Sequence, residues 1–170
     1  MFSKPIICSQ PRPIAAISLA ERVAFEYSAG VSRSKYVGYN IGRKCKLDAK
    51  TRVIYTTDSS FASELLEMVS KGVKVSSKYG AVVVDEVHER KIDTDIILGI
   101  LKTQLPKDKD LRVIVTSATL DINKMCNFFG VQNSVSIPGR TFPVKYEYLP
   151  VTKNDNLVLK CAKVAAIFFL

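Results

Sequence analysis

The hydrophobic positions of the chain form two kinds of pattern that follow one another along the sequence. Short apolar runs, typical of buried strands, are separated by segments in which apolar residues recur every three to four positions, as in helices. The apolar runs cover Pro5–Cys8, Tyr36–Tyr39, Val53–Thr56, Ala81–Val84 and Leu111–Val115. This alternation predicts an α/β fold, a parallel sheet with helices on both faces.

Helical spacing occupies most of the intervals between these runs. The predicted helices cover Ile14–Tyr27, Phe61–Val69, Ile96–Leu101, Met125–Phe128 and Leu157–Leu170. Pro11 or Pro13 suits the first turn of the first helix. Asp58 or Ser59 is expected to cap the second helix, and Asp121 the fourth. Two further strand-like pieces surround Pro138-Gly139-Arg140, and the segment from Leu149 to Asn156 is predicted to be a linker.

The charge of the chain points to a polyanionic partner. Its 170 residues include 25 lysines and arginines against 16 acids, a net charge of +9. Seven basic residues and one acid lie between Arg33 and Arg52, and this basic window alone supplies +6. Such a window favours nucleic acid before anionic lipid, because it can track phosphates. A merely solvated basic surface is the alternative interpretation.

Several classes of protein do not fit the composition. The four cysteines, at positions 8, 45, 126 and 161, are far apart, and His88 is the only histidine, so no zinc site is expected. Scattered thiols without a disulfide pattern indicate a reducing, intracellular compartment. The N-terminus lacks the pattern of a signal peptide, and the apolar tail from Val164 is too short to span a bilayer, so no membrane partner is expected.

Two polar clusters follow predicted strands and carry the candidate chemistry. Asp85 and Glu86 come directly after Ala81–Val84. Adjacent carboxylates at a strand end can face a hydrated Mg²⁺, one holding its shell while the other orients a water against a phosphate. They can equally be the cap and first-turn acids of a helix. Thr116 to Thr119 follow the next strand, where hydroxyls can bond to a neighbouring carboxylate or imidazole or form an ordinary turn.

The order of these clusters resembles the DEAH-box RNA helicases of superfamily two, from about Ile6 to Tyr148. The matching segments are Ser9-Gln10-Pro11-Arg12 (motif Ia), Val37-Gly38-Tyr39, Thr56-Thr57-Asp58 (motif Ib), Asp85-Glu86-Val87-His88-Glu89-Arg90 (motif II), Ser117-Ala118-Thr119-Leu120-Asp121 (motif III) and Ile137-Pro138-Gly139-Arg140-Thr141-Phe142-Pro143-Val144. Departures from the family pattern are Ser9 for Thr, Pro13 for Arg, Ser59 for Gly and Val87 for Ala. Each motif alone is weak, whereas six in order are specific.

The resemblance implies a RecA-like lobe of an ATP-dependent RNA helicase, with a role for each matched residue. Asp85 would hold Mg²⁺ through water. Glu86 would also face the metal and the nucleotide and would be the general base or the water-positioning group for ATP hydrolysis. His88 would relay between nucleotide, motif III and a second lobe, although a lone imidazole can also be purely structural. Ser117 and Thr119 would couple hydrolysis to strand movement. The residues expected along the RNA, mainly through backbone and phosphate contacts, are Gln10, Pro11, Arg12, Thr57 and Asp58. Arg140 is assigned only a structural role.

A phosphate-binding GxxxxGK[ST] loop does not occur, since none of the eight glycines is followed by lysine. We therefore expect residues 1–149 to form a partial first RecA-like lobe, incomplete at its N-terminus, and 150–170 to be a linker and the start of the second lobe. ATP and Mg²⁺ would be cofactors of the full-length helicase, in the nucleus or cytoplasm, with protein cofactors of a ribonucleoprotein assembly. A truncated nucleic-acid-binding module without ATPase activity and an inactive gene product are the alternatives.

Overall fold

The computed structural model describes residues 3–27, 35–118, 122–139, 142–146, 148, 150–153 and 155–169. The chain divides into two compact units, Met1–Ser134 and Val135–Leu170. The first unit contains the strands β1 (Ile6–Gln10), β2 (Val37–Asn40), β3 (Cys45–Lys46), β4 (Val53–Thr57), β5 (Ala81–Val84) and β6 (Val113–Val115). Its helices are α1 (Pro13–Tyr27), α2 (Asp58–Ser70), α3 (Val75–Lys78), α4 (Ile92–Gln104) and α5 (Ile122–Phe129), with a 3₁₀ turn at Val87–Glu89.

The six strands form one sheet in the order β3-β2-β4-β1-β5-β6. All neighbouring pairs are parallel except β2 and β3, which are antiparallel. The prediction of a parallel α/β sheet is therefore confirmed, with one short antiparallel strand that the sequence pattern did not predict. Cys45–Lys46 has no alternation long enough to be recognised, because only two residues pair.

Helices cover both faces of this sheet. From β1 the chain passes through α1 to β2 and β4 on one side, and from β4 it passes through α2 to β5 on the other side of β1. Because crossover connections between parallel strands are right-handed, crossovers that run in opposite directions place their helices on opposite faces.

The main hydrophobic core lies between the sheet and the pair α2 and α4. Fully buried side chains from these two helices, such as Phe61 and Leu101, meet Ile7, Val82 and Val84 of the central strands. Since Ile7 and Val82 are register partners in neighbouring parallel strands, their side chains lie on the same face. This packing fixes β1 and β5 side by side at the centre of the sheet.

The ends of α1 and α2 follow local sequence rules. Pro13 is the first residue of α1, as its fixed φ favours. After α2, Gly72 has a φ of +67°, and its N–H and that of Val73 donate to the carbonyls of Val69 and Met68. These two bonds are those of a Schellman motif, in which glycine avoids the steric cost of positive φ.

Two predictions about the first 146 residues are wrong, one on the cap of α2 and one on the region around Pro138. The N-cap of α2 is Thr57, and neither Asp58 nor Ser59 caps it, because the Asp58 carboxylate turns into the protein. The described residues between 131 and 146 contain no strand, so the strand-like pieces predicted around Pro138 are absent from that part of the structure. Asp121 lies outside the described residues.

The second unit contains one helix, α6 (Leu157–Phe169), among its described residues. Asp155 stabilises the turn that precedes α6. Its carboxylate accepts a hydrogen bond from the Thr152 N–H at 2.7 Å and forms an ion pair with Lys160 at 2.9 Å. The helical prediction for this stretch is confirmed. No helix in the described ranges is both long enough and apolar enough to cross a bilayer. The domain boundary at 149/150 remains a prediction.

Candidate functional site

The carboxyl ends of four parallel strands bring the predicted site residues to one edge of the sheet. Gln10 ends β1 and pairs in register with Thr57, the end of β4. On the other side, Val84 of β5 pairs with Ser9 and with Val115 of β6. The residues that follow β5 and β6 therefore emerge next to the end of β1, which is where ligands bind in open α/β sheets.

Asp85 is held by donors from both neighbouring strands. Its Oδ2 accepts a hydrogen bond from Gln10 Nε2 at 2.6 Å. Its Oδ1 accepts from the Thr116 hydroxyl and from the Glu86 N–H, the latter at 3.0 Å. The predicted contact between the acidic pair and the hydroxyl turn after β6 is thus present, and Thr116 makes it. Thr116 belongs to the polar cluster recognised in the sequence, but no role had been assigned to it.

His88 makes a second contact with the same turn and also contacts Glu86. His88 Nδ1 lies 3.2 Å from Glu86 Oε2 and 3.4 Å from Ser117 Oγ. The Glu86 side chain is 44% exposed and that of His88 30% exposed, so both face solvent at the edge. Thr119 lies outside the described residues.

The backbone at Glu86 is in a conformation that disfavours most side chains. Glu86 has a φ of 55° and a ψ of 36°, and Arg90 at the far end of the 3₁₀ turn has a φ of 51°. Left-handed residues other than glycine cost of order 1–3 kcal/mol and concentrate at functional sites. The interpretation of Asp85 and Glu86 as capping acids is not met, since Glu86 occupies the N-cap position of the 3₁₀ turn without a side-chain cap bond.

The carboxylate pair fits a magnesium ion held through water and phosphate oxygens. Three donors already occupy acceptor positions on Asp85, while Glu86 points to solvent. Among the described residues no group of three or more His, Cys, Asp or Glu side chains could enclose a metal. Mg²⁺ usually keeps several waters and takes only one or two carboxylates plus substrate phosphates, so a protein cage is unnecessary.

The residues expected along RNA differ in accessibility. Thr57 and Asp58 are 5% and 2% exposed, and Gln10 is 1% exposed. Asp58 accepts hydrogen bonds from the hydroxyls of Ser9 and Thr94 inside the protein. Thr94, in the first turn of α4, was missed because nothing in its sequence context marks it.

Arg12 is the exposed residue among those expected along RNA, and it forms an ion pair with Glu89, which follows β5. The Arg12 guanidinium lies 3.2 Å from Glu89 Oε1, and Lys91 lies 3.5 Å from the other oxygen. Partial burial raises the pKa of Glu89, but the Arg12 and Lys91 charges outweigh it and hold that pKa below its ordinary value. Lys91 also donates to the Pro11 carbonyl at 2.7 Å.

The exposed side chains of the described part of the basic window lie in and around β2 and β3. They are Lys35, Arg43, Lys44, Lys46, Lys50 and Arg52. Arg33 and Arg140 lie outside the described residues.

No model of a known protein family matches the chain. Curated proteins do match. The pre-mRNA-splicing factor ATP-dependent RNA helicase prp22 of Schizosaccharomyces pombe is 39% identical over 155 residues, which is 91% of this chain. The probable ATP-dependent RNA helicase DHX34 of Mus musculus is 38% identical over 162 residues, 94% of this chain. The chain spans only 13% of the length of each relative. Nearly the whole chain thus aligns with one segment of each of these proteins, and the resemblance drawn from the motifs is confirmed to this extent: its relatives are ATP-dependent RNA helicases.

Proposed function

We propose that this chain is the part of an ATP-dependent RNA helicase that faces the magnesium-bound triphosphate and part of the RNA. The observation that carries the proposal is the convergence of Asp85, Glu86 and His88 with the hydroxyl turn after β6. Residues 1–149 belong to the first RecA-like lobe, and residues 150–170 lead into the second.

Each side chain has a role consistent with its contacts. Bound Mg²⁺ neutralises charge that develops on the transferred phosphoryl group. Asp85 orients that ion through water, and Glu86 accepts a proton from the attacking water. His88, in contact with Glu86 and Ser117, relays the state of the nucleotide to the turn after β6. Thr119 shares the coupling role of Ser117.

RNA binding is phosphate-directed and carries little sequence information. Arg12 offers an exposed guanidinium beside the site, and Pro11, Thr57 and Asp58 contribute backbone at the same edge. The basic window extends the positive surface. Action on RNA inside the nucleus or cytoplasm, with protein cofactors of a ribonucleoprotein assembly, follows from this function.

The test transfers this segment into the S. pombe relative in place of the matching one and measures RNA-stimulated ATP hydrolysis. Glu86→Gln is expected to lower kcat at least about 100-fold, because general-base catalysis typically contributes 10²–10⁴-fold. The matched control is Glu67→Gln, an exposed glutamate of α2 paired with Lys71; its rate should be unchanged. Equal rates for the two variants, or an inactive unmodified chimera, would contradict the proposal.

The 170 residues by themselves are expected to hydrolyse ATP negligibly, because they contain no phosphate-binding GxxxxGK[ST] loop. The same fact favours a second candidate function, a nucleic-acid-binding module without ATPase activity. RNA binding by the chain together with an inactive chimera would select that alternative.

A further inference from the structure

The side chain of Gln10 is directed into the protein. It is 1% exposed, and its amide nitrogen donates to Asp85 Oδ2 at 2.6 Å. Because an ionised carboxylate only accepts hydrogen bonds, the NH₂ group of the amide must be the end that faces Asp85. The resemblance alone had assigned Gln10 to the RNA side.

Gln10 completes the support of the Asp85 carboxylate from the side opposite β6. Thr116 and the Glu86 N–H donate hydrogen bonds to Oδ1 of Asp85, and Gln10 donates to Oδ2. With donors on both oxygens, rotation of the carboxylate about its Cβ–Cγ bond would break at least one charge-assisted hydrogen bond. The amide therefore fixes the orientation in which Asp85 presents its remaining acceptor position.

The segment around Gln10 is joined to the segment after β5 along its length. The Asp85 N–H donates to the Ser9 carbonyl at 3.1 Å. Beyond Gln10, Lys91 bonds to the Pro11 carbonyl, and Arg12 pairs with Glu89. Gln10 and Arg12, separated by one residue, thus differ in their surroundings: Gln10 is buried against the carboxylate, while Arg12 is exposed at the surface.

We propose that Gln10 is a positioning residue for the Asp85 carboxylate and serves the metal side of the site, whereas Arg12 serves RNA. The inference rests on the magnesium role of Asp85 proposed above. It goes beyond that role by separating two neighbouring residues of one motif according to the ligand that each supports.

The test measures two affinities on the complete 170-residue chain. Mn²⁺ binding is followed by water proton relaxation, and RNA binding by the fluorescence anisotropy of a short labelled polyuridine. Gln10→Met, which keeps the length but removes the amide, is expected to weaken Mn²⁺ binding about 10-fold, the lower end of the usual cost of losing a hydrogen-bond partner of a side chain that orients a metal ion. Its RNA affinity should be unchanged. Arg12→Met should give the reverse pattern, weaker RNA binding with unchanged Mn²⁺ binding.

A second variant, together with a folding measurement, separates loss of the Asp85 contact from misfolding. Gln10→Asn retains a buried amide but is one methylene too short to reach Asp85, so it is expected to lose Mn²⁺ affinity as Gln10→Met does. Circular dichroism measures the folded fraction of every variant before the affinities are compared. Rescue of Mn²⁺ binding by asparagine would show that polarity alone matters and would overturn the positioning role.

Asp85→Asn separates failure of this inference from failure of the proposed function. If Mn²⁺ binding disappears in Asp85→Asn but is unchanged in both Gln10 variants, Gln10 does not position the carboxylate and only this inference fails. If the chain shows no Mn²⁺ binding that depends on Asp85, the magnesium role fails and the inference fails with it. A loss of RNA affinity in Gln10→Met as large as that in Arg12→Met would return Gln10 to the RNA side.

Discussion

Cys8 lies in the middle of β1, two residues before Gln10 and close to two carboxylates. Burial raises the pKa of its thiol from 9.0 to about 11; the Gln10 hydrogen bond acts in the opposite direction, and the charges of Asp85 and Asp58 raise it further. A thiolate at this position would lie in an apolar strand beside negative charge. The folded chain therefore keeps this proton at pH values where an unfolded chain loses it.

At the residue scale, this difference predicts a loss of stability in alkaline solution. Between pH 9 and about 11 the unfolded state binds fewer protons than the folded state, so the free energy of unfolding falls as pH rises. Cys8→Ala should make this fall shallower, as measured by urea unfolding at several pH values. The control is Cys45→Ala, since Cys45 is exposed. Tyr79, whose pKa burial also raises, adds a fall of the same sign in every variant. Identical pH profiles for the two cysteine variants would contradict the assignment.

At the scale of elements, the pairing of β3 with β2 explains why glycine occupies position 38, which the motif comparison identified without giving a structural reason. A Cβ on Gly38 would collide with the backbone carbonyl of Lys46, so the antiparallel pairing of β2 with β3 needs glycine at that position. Glycine inside a strand often marks such a close approach of another backbone.

Gly38→Ala is expected to destabilise the chain by about 1–3 kcal/mol, the usual cost of forcing an atom into occupied space. Gly99→Ala is the matched control. Gly99 lies inside α4 with open space around its missing Cβ, so alanine there should stabilise by roughly 0.5–1 kcal/mol. Urea unfolding measures both, and a stabilising Gly38→Ala would show that β3 does not form.

The elements that could be predicted from sequence are those whose pattern is long. The Val-rich run of β5 and the periodicity of α2 and α4 determine their own structure, because burial of one face or both leaves few alternatives. The short elements β3 and α3 depend on tertiary contacts and had no local signal. At the site, the motif order predicted that the acidic pair would meet the hydroxyl turn. It did not predict the buried Asp58–Thr94 contact, which depends on how α4 packs.

At the scale of the whole molecule, the basic window concentrates the charge that RNA would meet. The triple variant Arg43→Glu, Lys44→Glu, Lys50→Glu should weaken polyuridine binding at least 10-fold. It should also reduce the slope of log affinity against log salt by about 2, at roughly 0.7 per lost phosphate contact on a single strand.

The control for that experiment changes the net charge by the same amount elsewhere. Lys71, Lys107 and Lys109 are exposed outside the window, and the triple Lys→Glu variant at these positions should lose less affinity and keep most of the salt slope. Anisotropy titrations at several salt concentrations measure both variants. Equal losses would mean that overall charge, and not the window, attracts RNA.

The position of β6 at the border of the sheet has a consequence for the two sides of the Asp85 carboxylate. Gln10 comes from a strand paired on both flanks, whereas Thr116 and Ser117 follow a three-residue strand paired only with β5 in the described sheet, with Ile114 half exposed. Short border strands fray at lower free energy than central ones. When β6 frays, the hydroxyls of Thr116 and Ser117 move away from Asp85 and His88, while the Gln10 amide stays in place. A further strand that paired with β6 would therefore stabilise the hydroxyl contacts and leave the Gln10 contact unchanged.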